Sequence, residues 1–172
     1  LTLKASASQV NVLIHALGIL LVAPAILGEG EKVLSLSLGA GNTGKPFDLE
    51  TTQRVAQFKF IQWKGGSETI RQNSLFKDFY LLSEHNTPKA KELFVIGTEY
   101  PLKFFQCGRA LKSVLSRDNK LWADFQHRYD QRFLVVSDYY SFRKNGVLIR
   151  DLLDFLPSLG QICPPEDDGE SP

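Results

Sequence analysis

Three side chains near the middle of the chain have types and spacing suited to metal-assisted chemistry. Asp48 lies on one apolar segment, and Gln57 and Lys59 lie two residues apart on the next. A hard cation such as Mg²⁺ accepts carboxylate and amide oxygens, and a nearby lysine can orient a water and offset charge on a phosphate. These residues therefore indicate a metal-dependent site that acts on a phosphate group.

The segments that carry these residues predict a β-hairpin. Two arms rich in aromatic and aliphatic residues, 47–50 and 55–62, flank a polar segment of four residues that can turn. With the turn at the centre of that segment, Asp48 lies opposite Gln57. Side chains alternate along a strand, so Asp48, Gln57 and Lys59 are expected on one face of the sheet.

Hydrophobic patterns predict the elements that hold this hairpin in place. A helix over residues 10–28 and a strand over 32–38 precede the hairpin, and a helix over 67–84 and a strand over 93–98 follow it. The rest of the chain is predicted to add helices over 102–115 and 119–129, a strand over 132–140 and a closing helix over 147–156.

The order Asp, then Gln-x-Lys on the next strand, within elements ordered α-β-β-β-α-β, resembles the restriction endonuclease-like superfamily. The signature of that superfamily is written PD-(D/E)xK. Here Phe47 separates Pro46 from Asp48, and Gln57 replaces the usual acid, as in Mrr-type nucleases. The resemblance covers roughly residues 8–100. It implies an α/β fold with a central mixed sheet flanked by helices, to which the C-terminal segments add helices and a strand.

The resemblance also implies an activity, the hydrolysis of phosphodiester bonds in DNA with Mg²⁺ or Mn²⁺ as the cofactor. Asp48 and Gln57 would bind the metal, and Lys59 would position or activate the attacking water. Many members of the superfamily supply a further acid from the first helix. The candidates for an additional acid here are Glu29, Glu31 and Glu50.

Candidates to hold the nucleic acid lie before and after the hairpin. Lys45 follows a glycine-rich turn and can contact a phosphate backbone. Gln72 lies where RecB-like members carry a glutamine that helps to hold substrate, although Phe76 replaces the usual tyrosine. Asn73 and Lys77 lie near it on the same predicted helix.

The later helices carry basic residues interleaved with aromatic ones. Such a surface can bind a phosphate backbone and stack bases, but solvated helices with core aromatics would give the same pattern. The aromatic residues concerned are Phe104, Trp122, Tyr139 and Tyr140.

Two other functional classes remain as alternatives. A non-catalytic nucleic-acid-binding or interaction module of the same fold is favoured by Gln57, since an amide is a weaker cation ligand than a carboxylate. The segment 39–45 has the spacing of a phosphate-binding P-loop. Pro46 follows its lysine, however, where a P-loop needs Ser or Thr and then a helix, so an ATPase is disfavoured.

Composition predicts one globular domain over residues 1–160 and an acidic, disordered tail over 161–172. Cys107 and Cys163 are too few for a disulfide framework, which favours an intracellular protein. The formal net charge of +1 does not decide for or against nucleic acid. The sequence leaves open whether the chain forms a homo-oligomer.

The apolar stretch 10–28 resembles a signal peptide or membrane span, which would suit an anchored or secreted protein. His15, Gly18 and Pro24 interrupt it, and no stop-transfer charge cluster follows. It is therefore predicted to be a buried core helix, with no membrane as partner.

Overall fold

A computed structural model of the chain describes residues 3–39, 45–63, 65 and 68–162, and these form an α/β fold around an open mixed sheet flanked by helices. The predicted order α-β-β-β-α-β is confirmed up to the fourth strand. In chain order the elements are α1 (Leu3–Ile26), β1 (Val33–Leu36), β2 (Leu49–Thr51), β3 (Arg54–Lys59), α2 (Thr69–Glu84), β4 (Ala90–Val95), α3 (Glu99–Phe105), α4 (Leu111–Leu115), α5 (Asn119–Tyr129), α6 (Val136–Arg143), β5 (Leu148–Asp151), a short 3₁₀ helix (Leu152–Asp154) and α7 (Leu159–Ile162).

The five strands lie in the order β1-β2-β3-β4-β5. β2 runs antiparallel to β1 and β3, whereas β3, β4 and β5 run parallel to one another. Parallel neighbours need crossover connections, which α2 supplies between β3 and β4 and which α3 to α6 supply between β4 and β5. The antiparallel hairpin therefore lies next to a parallel half of the same sheet.

The register of the hairpin is the one that the sequence predicts. Leu49 pairs with Ala56 across β2 and β3, so Asp48, one residue earlier, meets Gln57. The hydroxyl of Thr51 accepts a hydrogen bond from the backbone N–H of Arg54 at 2.9 Å, which helps to close the turn. A polar turn residue thus fixes the alignment of the two strands that carry the candidate site.

Alternation along β3 divides the interior into two clusters on opposite faces of the sheet. Val55 belongs to the aromatic core beneath α2 to α6, whose fully buried members include Phe76, Phe79, Phe105, Phe125 and Tyr139. Phe58 belongs to the smaller α1 core, which also contains Ile19, Val22, Phe94 and Leu152. The sheet therefore has a thickly covered face and a thinly covered one.

Helix α1 packs on the sheet with one side only. Ile19 and Val22 are fully buried, whereas Leu13, Leu17 and Leu21 are 58%, 50% and 57% exposed. The expected core helix is thus confirmed for one side and wrong for the other, because the described residues place no further layer over α1. None of the helices that the structure describes is both long and apolar enough to cross a membrane.

Two predicted elements near the C-terminus have the wrong type. The predicted strand 132–140 is mainly the helix α6, since Asp138 accepts hydrogen bonds from the backbone N–H groups of Leu134 and Val135 and caps its first turn. The predicted helix 147–156 is instead the edge strand β5 followed by the short 3₁₀ helix, because parallel pairing with β4 holds 148–151 extended. Tertiary pairing overrides local preference here.

Two further boundaries differ from the sequence prediction. The helix predicted over 102–115 is split into α3 and α4 by an irregular segment, residues 106–110. β4 begins at Ala90 and ends at Val95, three residues earlier at each end than the predicted strand, because its register is set by pairing with β3. The central position expected for this strand is confirmed.

A chain of charges, with the exposed Arg150 at one end, ties the start of β3 to its neighbours. The Arg54 guanidinium contacts Glu31 at 2.8 Å and Glu92 at 2.7 Å, and Arg150 contacts the second oxygen of Glu92 at 2.9 Å. Hydrogen bonding to Arg54 lowers the pKa of Glu31 from 4.5 to about 2, against the opposing effect of burial. These charges hold together β3, β4, β5 and the segment before β1.

Candidate active site

The side chains of Asp48, Gln57 and Lys59 line a single cavity of about 480 Å³, together with His15 and Ser74. This Asp48 cavity lies beside the carboxyl end of β3, between α1 on one face of the sheet and α2 on the other. Its volume is in the range of small-molecule binding sites. The structure thus brings the three predicted residues to one cavity, but Asp48 contacts α1 and Lys59 contacts α2, so their expected position on a single face of the sheet is not confirmed.

Asp48 lies in the bend just before β2 and is only 6% exposed. One carboxylate oxygen, Oδ2, accepts a hydrogen bond from the backbone N–H of Phe58 at 2.9 Å. The other, Oδ1, lies 3.2 Å from Nε2 of His15. The carboxylate is therefore oriented by the neighbouring strand and by the first helix.

His15 reaches Asp48 because α1 lies unusually close to the end of β3. A Cβ atom at Gly18 would lie 2.6 Å from the ring of Phe60, so a larger residue could not occupy this position without displacing that ring. The His15 ring packs edge-on against the same phenylalanine, with 5.7 Å between ring centroids. Gly18 thus allows the close approach that puts an imidazole beside the buried carboxylate.

Gln57 faces Asp48 directly across the hairpin. Its side-chain oxygen Oε1 accepts a hydrogen bond from the backbone N–H of Asp48 at 3.3 Å. The Gln57 amide is consequently held against the backbone of Asp48, as the pairing of neighbouring strands requires.

Lys59 points toward α2 and pairs with a carboxylate that the sequence did not single out. Its Nζ donates a hydrogen bond to the hydroxyl of Ser74 at 2.9 Å and forms an ion pair with Asp78. Burial raises the pKa of Asp78; the charge of Asp48 acts in the same direction, and the Lys59 ammonium opposes both. Two carboxylates therefore lie near one ammonium group at this end of the sheet.

The donor atoms present suit a partial metal site. Within the residues that the structure describes, no group of three or more His, Cys, Asp or Glu side chains is placed to hold a metal ion. Asp48 and Gln57 still offer hard oxygens at one cavity, and each Asp48 carboxylate oxygen keeps acceptor capacity beyond its present contact. Mg²⁺ is often held by only one or two carboxylates plus waters and substrate phosphate. These two residues fit that mode of binding.

The three additional acids that the sequence suggested lie elsewhere. Glu31 is held by Arg54 in the charge network, and Glu50 pairs with Lys89 at 2.7 Å. Glu29 is exposed in the turn after α1. Among the described residues that line the Asp48 cavity, none of these three acids is present.

The predicted substrate-binding residues are placed in different environments. Gln72 accepts a hydrogen bond from Arg109, and Lys77 pairs with Asp118 at 2.8 Å. Asn73 is buried, whereas Lys45 is exposed. Most of the suggested P-loop segment, residues 40–44, and most of the predicted tail, residues 163–172, lie outside the described residues.

The aromatic residues of the later helices belong to the core. Phe104 and Tyr139 are buried, and Trp122 and Tyr140 pack against the same aromatic core. The interpretation as core aromatics is confirmed for Phe104 and Tyr139, whereas Trp122 and Tyr140 remain partly exposed.

Sequence reasoning missed His15, Ser74 and Asp78 as neighbours of the site. The signal for Asp78 was present, since it lies among positions predicted to be buried on the second helix, where a carboxylate needs a partner. His15 could not be linked to the site from the sequence, because its partner Asp48 lies 33 positions further along the chain. No feature of the sequence marked Ser74 as a neighbour of the site.

Comparisons of the chain with known protein families, with curated proteins and with solved structures found no match. Only the chemistry of the cavity and the arrangement of the elements around it therefore bear on function.

Proposed function

We propose that this chain is a metal-dependent phosphodiesterase of restriction endonuclease-like fold that hydrolyses DNA with Mg²⁺ or Mn²⁺. One observation carries the proposal: Asp48, Gln57 and Lys59 line a common cavity in the hairpin register that their spacing predicts. The order of the elements around the hairpin, α-β-β-β-α-β, supports it as well.

The balance of charge at the cavity supports a requirement for a cation. The charge of Asp48 interacts unfavourably with that of Asp78, and Lys59 is the ammonium group paired with Asp78. A phosphodiester is itself negative, so it would be repelled by the carboxylate of Asp48. A divalent cation held by Asp48 and Gln57 would supply charge neutralisation and polarisation of the phosphate.

Lys59 would act on the attacking water and on charge that develops at the phosphate. Its ammonium group is held by Ser74 and Asp78 and lines the cavity. Donors that are oriented before the reaction stabilise developing charge without further reorganisation. Asp78 is accordingly a positioning residue, because it acts through Lys59.

A second candidate function is a binding module without catalytic activity. It is favoured by the fact that Asp48 Oδ2 and the Gln57 oxygen already accept hydrogen bonds from within the protein, and that Asp48 Oδ1 lies 3.2 Å from Nε2 of His15. A metal held by so few protein ligands would bind weakly until substrate phosphate completes its coordination.

The experiment that separates the two functions uses the wild-type chain with labelled duplex DNA, single-stranded DNA and RNA. Cleavage in Mg²⁺ or Mn²⁺ that stops with a chelator supports the phosphodiesterase. Binding with steep salt dependence but no cleavage would favour the binding module. If the chain neither binds nor cleaves any of these substrates, both proposals are wrong.

A further inference from the structure

A second cavity, of about 530 Å³, adjoins the Asp48 cavity. The two cavities share Ser74 as a lining residue, and the second is also lined by Asn73, Lys77, Arg117 and Lys120. We call it the Asn73 cavity. A strand of nucleic acid with one phosphate in the Asp48 cavity would therefore place a neighbouring nucleotide at or near the Asn73 cavity.

Asn73 is the unusual residue of this second cavity. It is 9% exposed, and neither its amide oxygen nor its amide nitrogen has a hydrogen-bond partner among the described residues. Buried polar groups are almost always paired, and an unpaired one destabilises the folded state. A ligand or an ordered water that pairs with this amide would remove that cost.

The chemistry of the amide restricts what that ligand can be. A phosphate offers acceptors only, so it would pair with the amide nitrogen and leave the oxygen unpaired. The edge of a nucleobase offers a donor next to an acceptor, and an asparagine amide pairs with both at once, as it does with adenine. A base therefore satisfies Asn73 where a phosphate does not.

The rim of the Asn73 cavity carries positive charge that suits the backbone of the same nucleotide. Arg117 and Lys120 are exposed there, and their side chains have no ion-pair partner among the described residues. Lys77 is already neutralised by Asp118 at 2.8 Å. Two cations without an ion-pair partner among the described residues thus line the same cavity as Asn73.

We propose that the Asn73 cavity is a nucleobase subsite, in which Asn73 pairs with the edge of an unpaired base and Arg117 and Lys120 contact the adjacent phosphates. The base belongs to the strand that is bound in the Asp48 cavity, so this inference rests on the proposed function. Neither amide atom is exposed to solvent, so the proposed pairing requires the Asn73 side chain to change rotamer when the base enters. Side chains change rotamer far faster than a strand exchanges.

The test is an abasic scan of a labelled single-stranded oligonucleotide, with binding measured in Ca²⁺. For the wild-type chain, loss of the base at one position should weaken binding about 10- to 100-fold, which is the usual worth of a bidentate contact between a side chain and a base. In Asn73→Leu the intact and abasic oligonucleotides should bind equally. Asn86→Leu, at an exposed asparagine after α2, is the matched control and should keep the wild-type difference.

Thermal unfolding distinguishes a recognition role from a structural one. Asn73→Leu removes a buried unpaired amide, so its melting temperature should equal or exceed that of the wild type. If Asn73→Leu does not fold, Asn73→Asp retains the size of the side chain and should also lose the base preference, or transfer it to cytosine.

The outcomes separate this inference from the proposed function. A wild-type chain that cleaves DNA but shows no position at which binding depends on both the base and Asn73 would overturn the subsite alone. The same result is expected if only water pairs with the Asn73 amide, and it would equally overturn the subsite. Failure to bind or cleave any nucleic acid would overturn both proposals.

Discussion

The Asp48 cavity and the Asn73 cavity lie on two sides of Ser74, yet their polar groups are arranged in opposite ways. In the Asp48 cavity the carboxylate, the amide oxygen and the ammonium each have a protein partner. In the Asn73 cavity the amide has no partner among the described residues, and the cations at the rim are exposed. The first cavity is organised before any ligand arrives, and the second is not.

This difference suits the Asp48 cavity to catalysis and the Asn73 cavity to recognition of a ligand. Groups that are fixed in advance can stabilise developing charge, which raises the rate of a reaction. Groups without partners gain their hydrogen bonds only from a ligand, which contributes to affinity and specificity. Substitutions in the Asp48 cavity should therefore lower the cleavage rate, and substitutions in the Asn73 cavity should lower binding.

The largest effect is expected at Asp48. Asp48→Asn keeps an oxygen that can accept from the Phe58 N–H but removes the negative charge that would hold a cation. Metal ions contribute several kcal/mol to such reactions, so cleavage in saturating Mg²⁺ should fall by about 10³-fold or more. Glu50→Gln removes an acid from the neighbouring strand outside the cavity and is the matched control. Equal rates for Asp48→Asn and the wild type would remove Asp48 from the site.

A smaller effect, on stability and not on rate, is expected from the charge network outside both cavities. The pKa of Glu31 is lowered from 4.5 to about 2, chiefly by its hydrogen bond to Arg54. A lowered pKa contributes stability above the ordinary value of 4.5, and this is lost as the pH falls through 4.5 toward 2. We expect a loss of up to about 3 kcal/mol in the free energy of unfolding over this range.

Urea denaturation at a series of pH values measures this loss. Glu31→Gln lacks the titrating group, so it should be less stable than the wild type at pH 7 and approach it near pH 2. Parallel curves for the two proteins would show that the Glu31 carboxylate does not couple folding to pH. Any pH dependence of stability in this network would then have to come from Glu92, the other partner of Arg54.

The smallest effect is expected at the rim of the Asn73 cavity. Lys120→Ala should weaken binding by a few-fold on every sequence, since one phosphate contact among many is lost. The slope of log affinity against log salt should fall by about 0.7 to 0.9, the value for one phosphate. Lys144→Ala, at an exposed lysine after α6, should leave the slope unchanged. An unchanged slope for Lys120→Ala would exclude this lysine from the binding surface.

The part of the site that could be predicted from the sequence is the part set by local structure. The pleat and the polar turn determine which residues of the hairpin face each other, so Asp48 and Gln57 were placed correctly before any coordinates were known. His15 and Asp78 come from helices on opposite sides of the sheet. Their positions depend on how those helices pack, which spacing along the chain does not encode.

The same distinction explains the errors in the fold. α2 was predicted well because its own apolar pattern defines it. The segments 132–140 and 147–156 were assigned to the wrong element type, since side-chain capping by Asp138 and pairing with β4 decide their structure. The exposed side of α1 was missed because an apolar pattern reports hydrophobicity and not whether a second layer covers it.

The most direct test of the central claim compares cleavage and binding for Lys59→Ala and the wild type. Lys59 acts on the water and on transition-state charge, while affinity comes from dispersed phosphate contacts. The variant should cleave DNA in Mg²⁺ about 10²- to 10⁴-fold more slowly and bind it in Ca²⁺ within a few-fold of the wild type. Lys89→Ala, outside the cavity, should retain both properties. Cleavage by Lys59→Ala at the wild-type rate would contradict the assignment of the Asp48 cavity as the active site.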